Sequence, residues 1–127
     1  MVANGSTGLI IFAHGSGVAD ANEAVQRTAE KAAERCGVAM WEAAFLELAE
    51  PDLETAVRSL KTRGAERIIV APYFLTMGMH VKKDLPRILA GIRKRVPGVE
   101  VVETPPLDGH PALVDILVDR TREFIQS

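Results

Sequence analysis

Three histidines occur in 127 residues, and two of them stand at the ends of apolar runs. His14 follows LIIFA (9–13) directly and precedes Gly15-Ser16-Gly17. His80 lies in LTMGMHVKKDLP (75–86), immediately after RIIVAPYF (67–74). Neutral imidazole ligates first-row divalent metals and exchanges protons near neutral pH. Two such rings on neighbouring strand ends can share one metal ion and leave coordination positions open for a substrate. Glu47, in FLELAEP (45–51), follows a third apolar run, and its carboxylate can join the metal or accept a proton. For each histidine taken alone, a hydrogen bond to a carbonyl is the competing role.

Other residues near these runs carry weaker signals. Gly15, Ser16 and Gly17 allow close backbone approach and can point amide N–H groups at an anion; a tight turn in which Ser16 helps to start a helix is the alternative. Met77 and Met79 offer an adaptable apolar wall for a flat organic ligand, or ordinary packing. Lys82, Lys83 and Arg87 can attract carboxylates or simply stay solvated. Asp84 is placed to cap a helix with Pro86 in its first turn. His110, in DGHPAL, reads as structural. Cys36 falls on a packed helix face with nothing to activate it. There is no Walker loop, no G-x-G-x-x-G and no G-x-S-x-G elbow. Ala13 stands where a phosphohistidine enzyme would carry an arginine.

The elements that must position these residues follow from periodicity. Apolar β-rich runs at 8–13, 38–46, 67–74 and 99–104 each precede a segment of helical period. The helical faces are Val25, Thr28, Ala29, Ala32, Ala33 and Cys36, then Leu53, Ala56, Val57 and Leu60, ending near Gly64. They continue with Leu85, Ile88, Leu89, Ile92 and Val96, and then with Leu113, Leu117, Thr121, Phe124 and Ile125. Strands alternating with helices predict an α/β fold: a three-layer α/β/α unit on a four-stranded parallel sheet covered on both faces. VEVVET (99–104) alternates with acids and reads as an edge, and right-handed crossovers give the order 2-1-3-4. The connections then reverse direction between the first and third strands. That crevice is where His14 and His80 are expected to converge.

Composition narrows the class. Hydrophobic residues are 47% and charged residues 25%, with a formal charge of −2, so neither nucleic acid nor a membrane surface is an expected partner. A single cysteine fits a reducing compartment. The start MVANGST has no positive signal-peptide region, and the expectation is one cytoplasmic domain spanning 1–127.

Taken together, LIIFAHGS (9–16), AFLELAEPDL (44–53) and PYFLTMGMHVKKDLP (72–86) resemble the short CbiX-type members of the sirohydrochlorin chelatase family, over about residues 8–118. These resemble class II chelatases, which insert a divalent metal into a tetrapyrrole without ATP. The resemblance implies a chelatase-like half domain that pairs into a homodimer, with the second helix and the edge strand both open as its interface. It maps the family's two histidines onto His14 and His80, as catalytic residues and metal ligands, and its acidic position onto Glu47. Substrate contacts are expected at Ser16, Met79, Lys82, Lys83 and Arg87, the basic residues pairing with the acidic side chains of the tetrapyrrole. The implied activity is a sirohydrochlorin cobaltochelatase in cobalamin biosynthesis, with no permanently bound cofactor and the divalent metal as substrate. Iron or nickel insertion is the nearest variant, and a non-catalytic metal or tetrapyrrole carrier is the answer from another class. Gly17-Val18-Ala19 replaces the arginine-like residue that usually follows HGS.

Overall fold

A computed structural model describes residues 6–125. The element order is β1 (Thr7–Ala13), α1 (Ala19–Cys36), β2 (Met40–Phe45), α2 (Leu53–Thr62), β3 (Arg67–Pro72), α3 (Met79–Arg95), β4 (Glu100–Glu103) and α4 (Pro111–Ile125). The strands form one parallel sheet in the order β2-β1-β3-β4, a three-layer α/β fold with the expected topology. β1 is central and buried along its whole length, as its unbroken apolar run requires.

The two faces of the sheet are filled unequally. On one face, Ile10, Phe12, Ile68, Val70 and Val101 pack against α2 and α3, which contribute Val57, Leu60, Leu85, Leu89 and Ile92. Each of these large side chains, fully removed from water, stabilises the fold by about 1.5–3 kcal/mol. On the other face, Leu9, Ile11 and Ala43 lie under α1, which approaches closely through Ala29 and Ala33. Farther along this face, Ile69 and Ala71 of β3 and Val102 of β4 are only half-buried. Coverage of both faces was expected; on this face it thins from β1 to β3, where Ile69 and Ala71 still touch the same cluster.

Three helix readings need correction. α3 begins five residues before Asp84, with Gly78 as its N-cap and the Lys82 N–H donating to the Gly78 carbonyl at 3.1 Å. Asp84 therefore caps nothing, and Pro86 lies within the helix, where it leaves the Lys82 carbonyl without its usual donor. The preference of proline for a first turn suggested a start that the preceding residues override. Cys36 ends α1 and is exposed rather than packed, because Gly37 in the left-handed region closes the helix at that turn. α4 forms as expected, yet none of its residues is buried.

Local chemistry explains where α2 starts. The Asp52 carboxylate accepts the Thr55 N–H at 2.8 Å, and hydrogen bonds from Thr55 hold its carboxyl below the ordinary value of 3.8. Replacing Asp52 with alanine should cost about 1 kcal/mol, the usual worth of an N-cap. Because the folded-state pKa is the lower one, that contribution is complete above 3.8 and disappears as pH falls through the folded value. Urea unfolding of the wild type and Asp52→Ala should show a gap at neutral pH that closes in acid.

Candidate active site at the carboxyl rim of the sheet

The β1–β2 pairing does not stop with the strands. The Leu46 N–H donates to the Ala13 carbonyl at 2.9 Å, and the Glu47 N–H donates to the His14 carbonyl at 3.0 Å. The two loops are thereby zipped side by side, and His14 is set against Glu47. Its Nε2 lies 3.1 Å from Glu47 Oε1, with both side chains about half exposed (54% and 57%).

The turn after His14 is held by its own sequence. Gly15 has φ +95, and a Cβ built there would meet the Glu47 carbonyl oxygen at 1.8 Å. Only glycine fits this position. Asn22, in the first turn of α1, grips Ser16 from both sides: its Nδ2 donates to the Ser16 carbonyl at 2.8 Å, and its Oδ1 accepts the Ser16 N–H at 3.0 Å. Ser16 Oγ accepts the Val18 N–H at 3.0 Å, just before α1. The Ser16 and Val18 amides are thus occupied internally, so the turn reading holds and these two N–H groups are not offered to an anion. Asn22 was missed in the sequence, although an amide side chain early in a helix after Gly-Ser-Gly is a recognisable brace.

The second hydrogen bond of His14 defines its chemistry. Nδ1 lies 3.1 Å from the Gly15 carbonyl oxygen, which can only accept, so Nδ1 carries the proton in this bond. Nε2 then faces a carboxylate. A lone pair and an anionic oxygen 3.1 Å apart repel unless a positive charge sits between them. A proton satisfies that requirement, and so does a metal ion.

His80 is exposed in the first turn of α3, beyond the end of β3, rather than on a loop. The rim therefore carries both histidines beyond adjacent strands, but the contact made is between His14 and Glu47. Among the described residues no group of three or more His, Cys, Asp or Glu side chains could hold a metal ion. Lys83 and Arg87 follow His80 at helical spacing, opposite the buried stripe Val81-Leu85-Leu89; Lys82 stands nearer Met79. All three basic residues are exposed and take part in no side-chain hydrogen bond or ion pair among the described residues. The methionines separate: Met77 packs against the core, while Met79 is exposed. His110 is structural, its Nδ1 accepting the Ala112 N–H at 3.0 Å at the start of α4.

Exposed apolar side chains border the rim. Val18 (62% exposed), Leu48 (68%) and Met79 (73%) each belong to a segment that follows a different strand. Only Met79 was anticipated, because an isolated Val or Leu in a loop carries no periodic signal. A cavity of about 240 Å³ between α2 and α3, lined by Phe12, Phe45, Asp52, Leu53, Ile88 and Arg95 among others, includes neither histidine nor Glu47. The chemistry sits on an open ledge, suited to a flat ligand lying over it rather than a small one enclosed within it.

Sheet order and rim define an α/β protein with an imidazole–carboxylate pair beyond the carboxyl ends of β1 and β2, beside the switch point between β1 and β3. The CbiX family model matches residues 8–124, and the chain belongs to that family. It is similar to the chloroplastic sirohydrochlorin ferrochelatase of Arabidopsis thaliana, with 34% identity over 98% of this chain and 57% of that protein. It is also similar to the sirohydrochlorin cobaltochelatase of Methanopyrus kandleri, with 29% identity over 92% and 96%. Among solved structures it resembles the cobalamin-biosynthesis CbiX protein of Marinobacter aquaeolei, with 32% identity, a TM-score of 0.81 and coverage of 94% and 98%. It likewise resembles the sirohydrochlorin chelatase SirB of Bacillus subtilis in complex with cobalt, with 26% identity, a TM-score of 0.84 and coverage of 93% and 50%. The chain spans about half of its longer relatives and nearly all of its shorter ones. No helix of the described residues is long and apolar enough to cross a membrane.

The turn makes the first test. Gly15→Ala should destabilise the fold by at least about 1 kcal/mol, since it adds a side chain at positive φ against a carbonyl. Its thermal midpoint should fall well below that of Gly17→Ala, where a Cβ meets nothing within 4 Å.

Proposed function

We propose that this chain, working as a homodimer, is an ATP-independent chelatase that inserts a divalent metal into a sirohydrochlorin-type tetrapyrrole. Cobalt(II) is the ion of our reading, with iron and nickel as the nearest variants; relatives named for cobalt and for iron are similarly close, and ligand softness barely separates these ions. The observation that carries the reading is the approach of His14 Nε2 to Glu47 Oε1 at 3.1 Å, on an open ledge bordered by apolar side chains.

Insertion exchanges one divalent ion for two pyrrole protons. The ion enters with water and its few protein ligands, leaving positions for the ring nitrogens. His14 and Glu47 offer it one imidazole and one carboxylate, and His80 offers a second imidazole from the neighbouring strand end. A ring nitrogen holding the metal cannot hold a proton on the same lone pair. Ligation and proton uptake therefore alternate: as each bond from the ion to a protein imidazole is exchanged for one to a ring nitrogen, the freed imidazole takes the pyrrole proton that leaves. One proton goes to His14 Nε2, with Glu47 beside it to stabilise the imidazolium, and the other to His80 or water. Val18, Leu48 and Met79 would contact the flat ring, while Ser16 keeps the turn beneath it in shape. Lys82, Lys83 and Arg87 attract the acidic substituents from an exposed position, so their effect is steering more than tight pairing.

With sirohydrochlorin and excess cobalt(II), absorbance should change through many equivalents per site. A change that stops near one equivalent would identify a carrier. His14→Ala and Glu47→Gln should each lower kcat by on the order of 100-fold. Unchanged rates in both His14→Ala and His80→Ala would end this mechanism, and repeating the assay with iron and nickel ranks the metals. Lys83→Ala/Arg87→Ala should raise KM several-fold at low salt with kcat retained, an effect that shrinks as ionic strength rises.

A further inference from the structure

The carbonyl that sets the His14 proton belongs to a peptide unit held by a second residue. His14 Nδ1 lies 3.1 Å from the Gly15 carbonyl oxygen. The other end of that same planar peptide is the Ser16 N–H, which donates to Asn22 Oδ1 at 3.0 Å. Asn22 Nδ2 donates in turn to the Ser16 carbonyl at 2.8 Å, so the next peptide is held as well. The preceding peptide, between His14 and Gly15, is fixed by the Glu47 N–H on the His14 carbonyl at 3.0 Å. Gly15 stands at φ +95 with no side chain to resist rotation, and the Gly15–Ser16 peptide would turn readily without its partner. The Asn22 side chain serves this turn rather than α1. Asparagine is a weak helix former, and both ends of its half-buried amide are spent on Ser16.

We propose that Asn22 is a positioning residue for His14: by fixing the Gly15–Ser16 peptide, it keeps the neutral imidazole protonated on Nδ1 and the Nε2 lone pair open to a divalent cation. Two tautomers compete at this ring. With its proton on Nε2, the ring would donate to Glu47 Oε1, 3.1 Å away, and Nε2 would have no lone pair left for a metal. Glu47 and the intrinsic preference of a free imidazole in water both favour that closed form. Against them stands the Gly15 carbonyl, which accepts from Nδ1–H and repels a bare Nδ1 lone pair at the same 3.1 Å. That opposition lasts only while the carbonyl points at the ring, and Asn22 keeps it there. A ligating imidazole is commonly oriented by donating from its second nitrogen to a carbonyl; here one more link stands behind the carbonyl. This role rests on the proposed reading of His14 as a ligand of the incoming metal, and it places the control of that ligand in α1.

Nitrogen-15 spectra of the imidazoles in alkaline solution, where they are neutral, read the tautomer directly. His110 is an internal reference of the opposite kind, because its Nδ1 accepts the Ala112 N–H and its proton sits on Nε2. Wild-type His14 should be mainly Nδ1–H and that of Asn22→Ala mainly Nε2–H, with His110 unchanged. Asn22→Leu, of similar shape but with no hydrogen bond to give, should behave as alanine does and covers the case in which alanine does not fold. Asn22→Asp retains an acceptor for the Ser16 N–H and should restore the Nδ1–H form. Ser16→Ala loses the Oγ bond to the Val18 N–H but keeps both backbone groups that Asn22 holds, so its tautomer should stay wild-type however far its thermal midpoint falls. Titration with cobalt(II) alone should show about 10-fold weaker binding in Asn22→Ala and no loss in Asn22→Asp. An Nε2–H majority in the wild type, or an unchanged tautomer in Asn22→Ala and Asn22→Leu, would overturn the proposal and leave Asn22 a brace for the turn. Neither readout needs turnover: a protein with the expected tautomers that never metallates a tetrapyrrole refutes only the chelatase, and full turnover with an Nε2–H His14 refutes only this role.

Discussion

Everything at the rim depends on two backbone hydrogen bonds that extend the β1–β2 ladder past the last strand residues. Leu46 bonding to Ala13 and Glu47 to His14 convert two separate loops into a short continuation of the sheet. A histidine and a glutamate 33 positions apart then sit side by side with no element of their own to hold them. The constraint propagates outward. The chain must turn at Gly15 because the Glu47 carbonyl occupies the space any side chain would need, and Asn22 must clamp Ser16 for α1 to begin where it does. The side-chain geometry is a consequence of backbone pairing.

Much of this was readable from residue types, and the limits of the reading have physical causes. Strand order followed from the continuous apolar runs of β1 and β3 and the acid-alternating edge of β4, since burial on both faces leaves that signature. The approach of His14 to Glu47 was legible only as adjacency of strand ends; their hydrogen-bond register is invisible without coordinates. His80 was placed on a loop because Asp84 and Pro86 imitate a helix start, whereas the backbone continues helically back to Gly78. The exposed border at Val18 and Leu48 escaped because single apolar residues in loops have no period to detect. α4 illustrates the opposite error: its amphipathic pattern was read correctly, but a pattern says that a face wants burial and not what covers it, and none of its residues is buried.

The two unequal sheet faces connect fold to function. α2 and α3 complete one face within the chain, which fixes β1 and β3 and therefore the ledge above them. On the other face the cover thins from β1 to β3. The rim where His14 and Glu47 meet is set by the complete face, since α2 and α3 hold the strands whose ends carry it.

The energetics of the His14–Glu47 pair leave its geometry free to change at little cost to the fold. With both side chains about half in water, the pair contributes little to stability, in the range of roughly 0–1 kcal/mol for exposed ion pairs. The fold therefore loses little if the two side chains separate or take up other partners. A structural metal centre would need four ligands closed around it, and the described residues of one chain assemble no group of even three. The pair is exposed and stands outside any closed ligand set among the described residues. Under the proposed chelatase reading, such a pair would hold an ion only briefly, because ring nitrogens would fill the coordination positions it lacks.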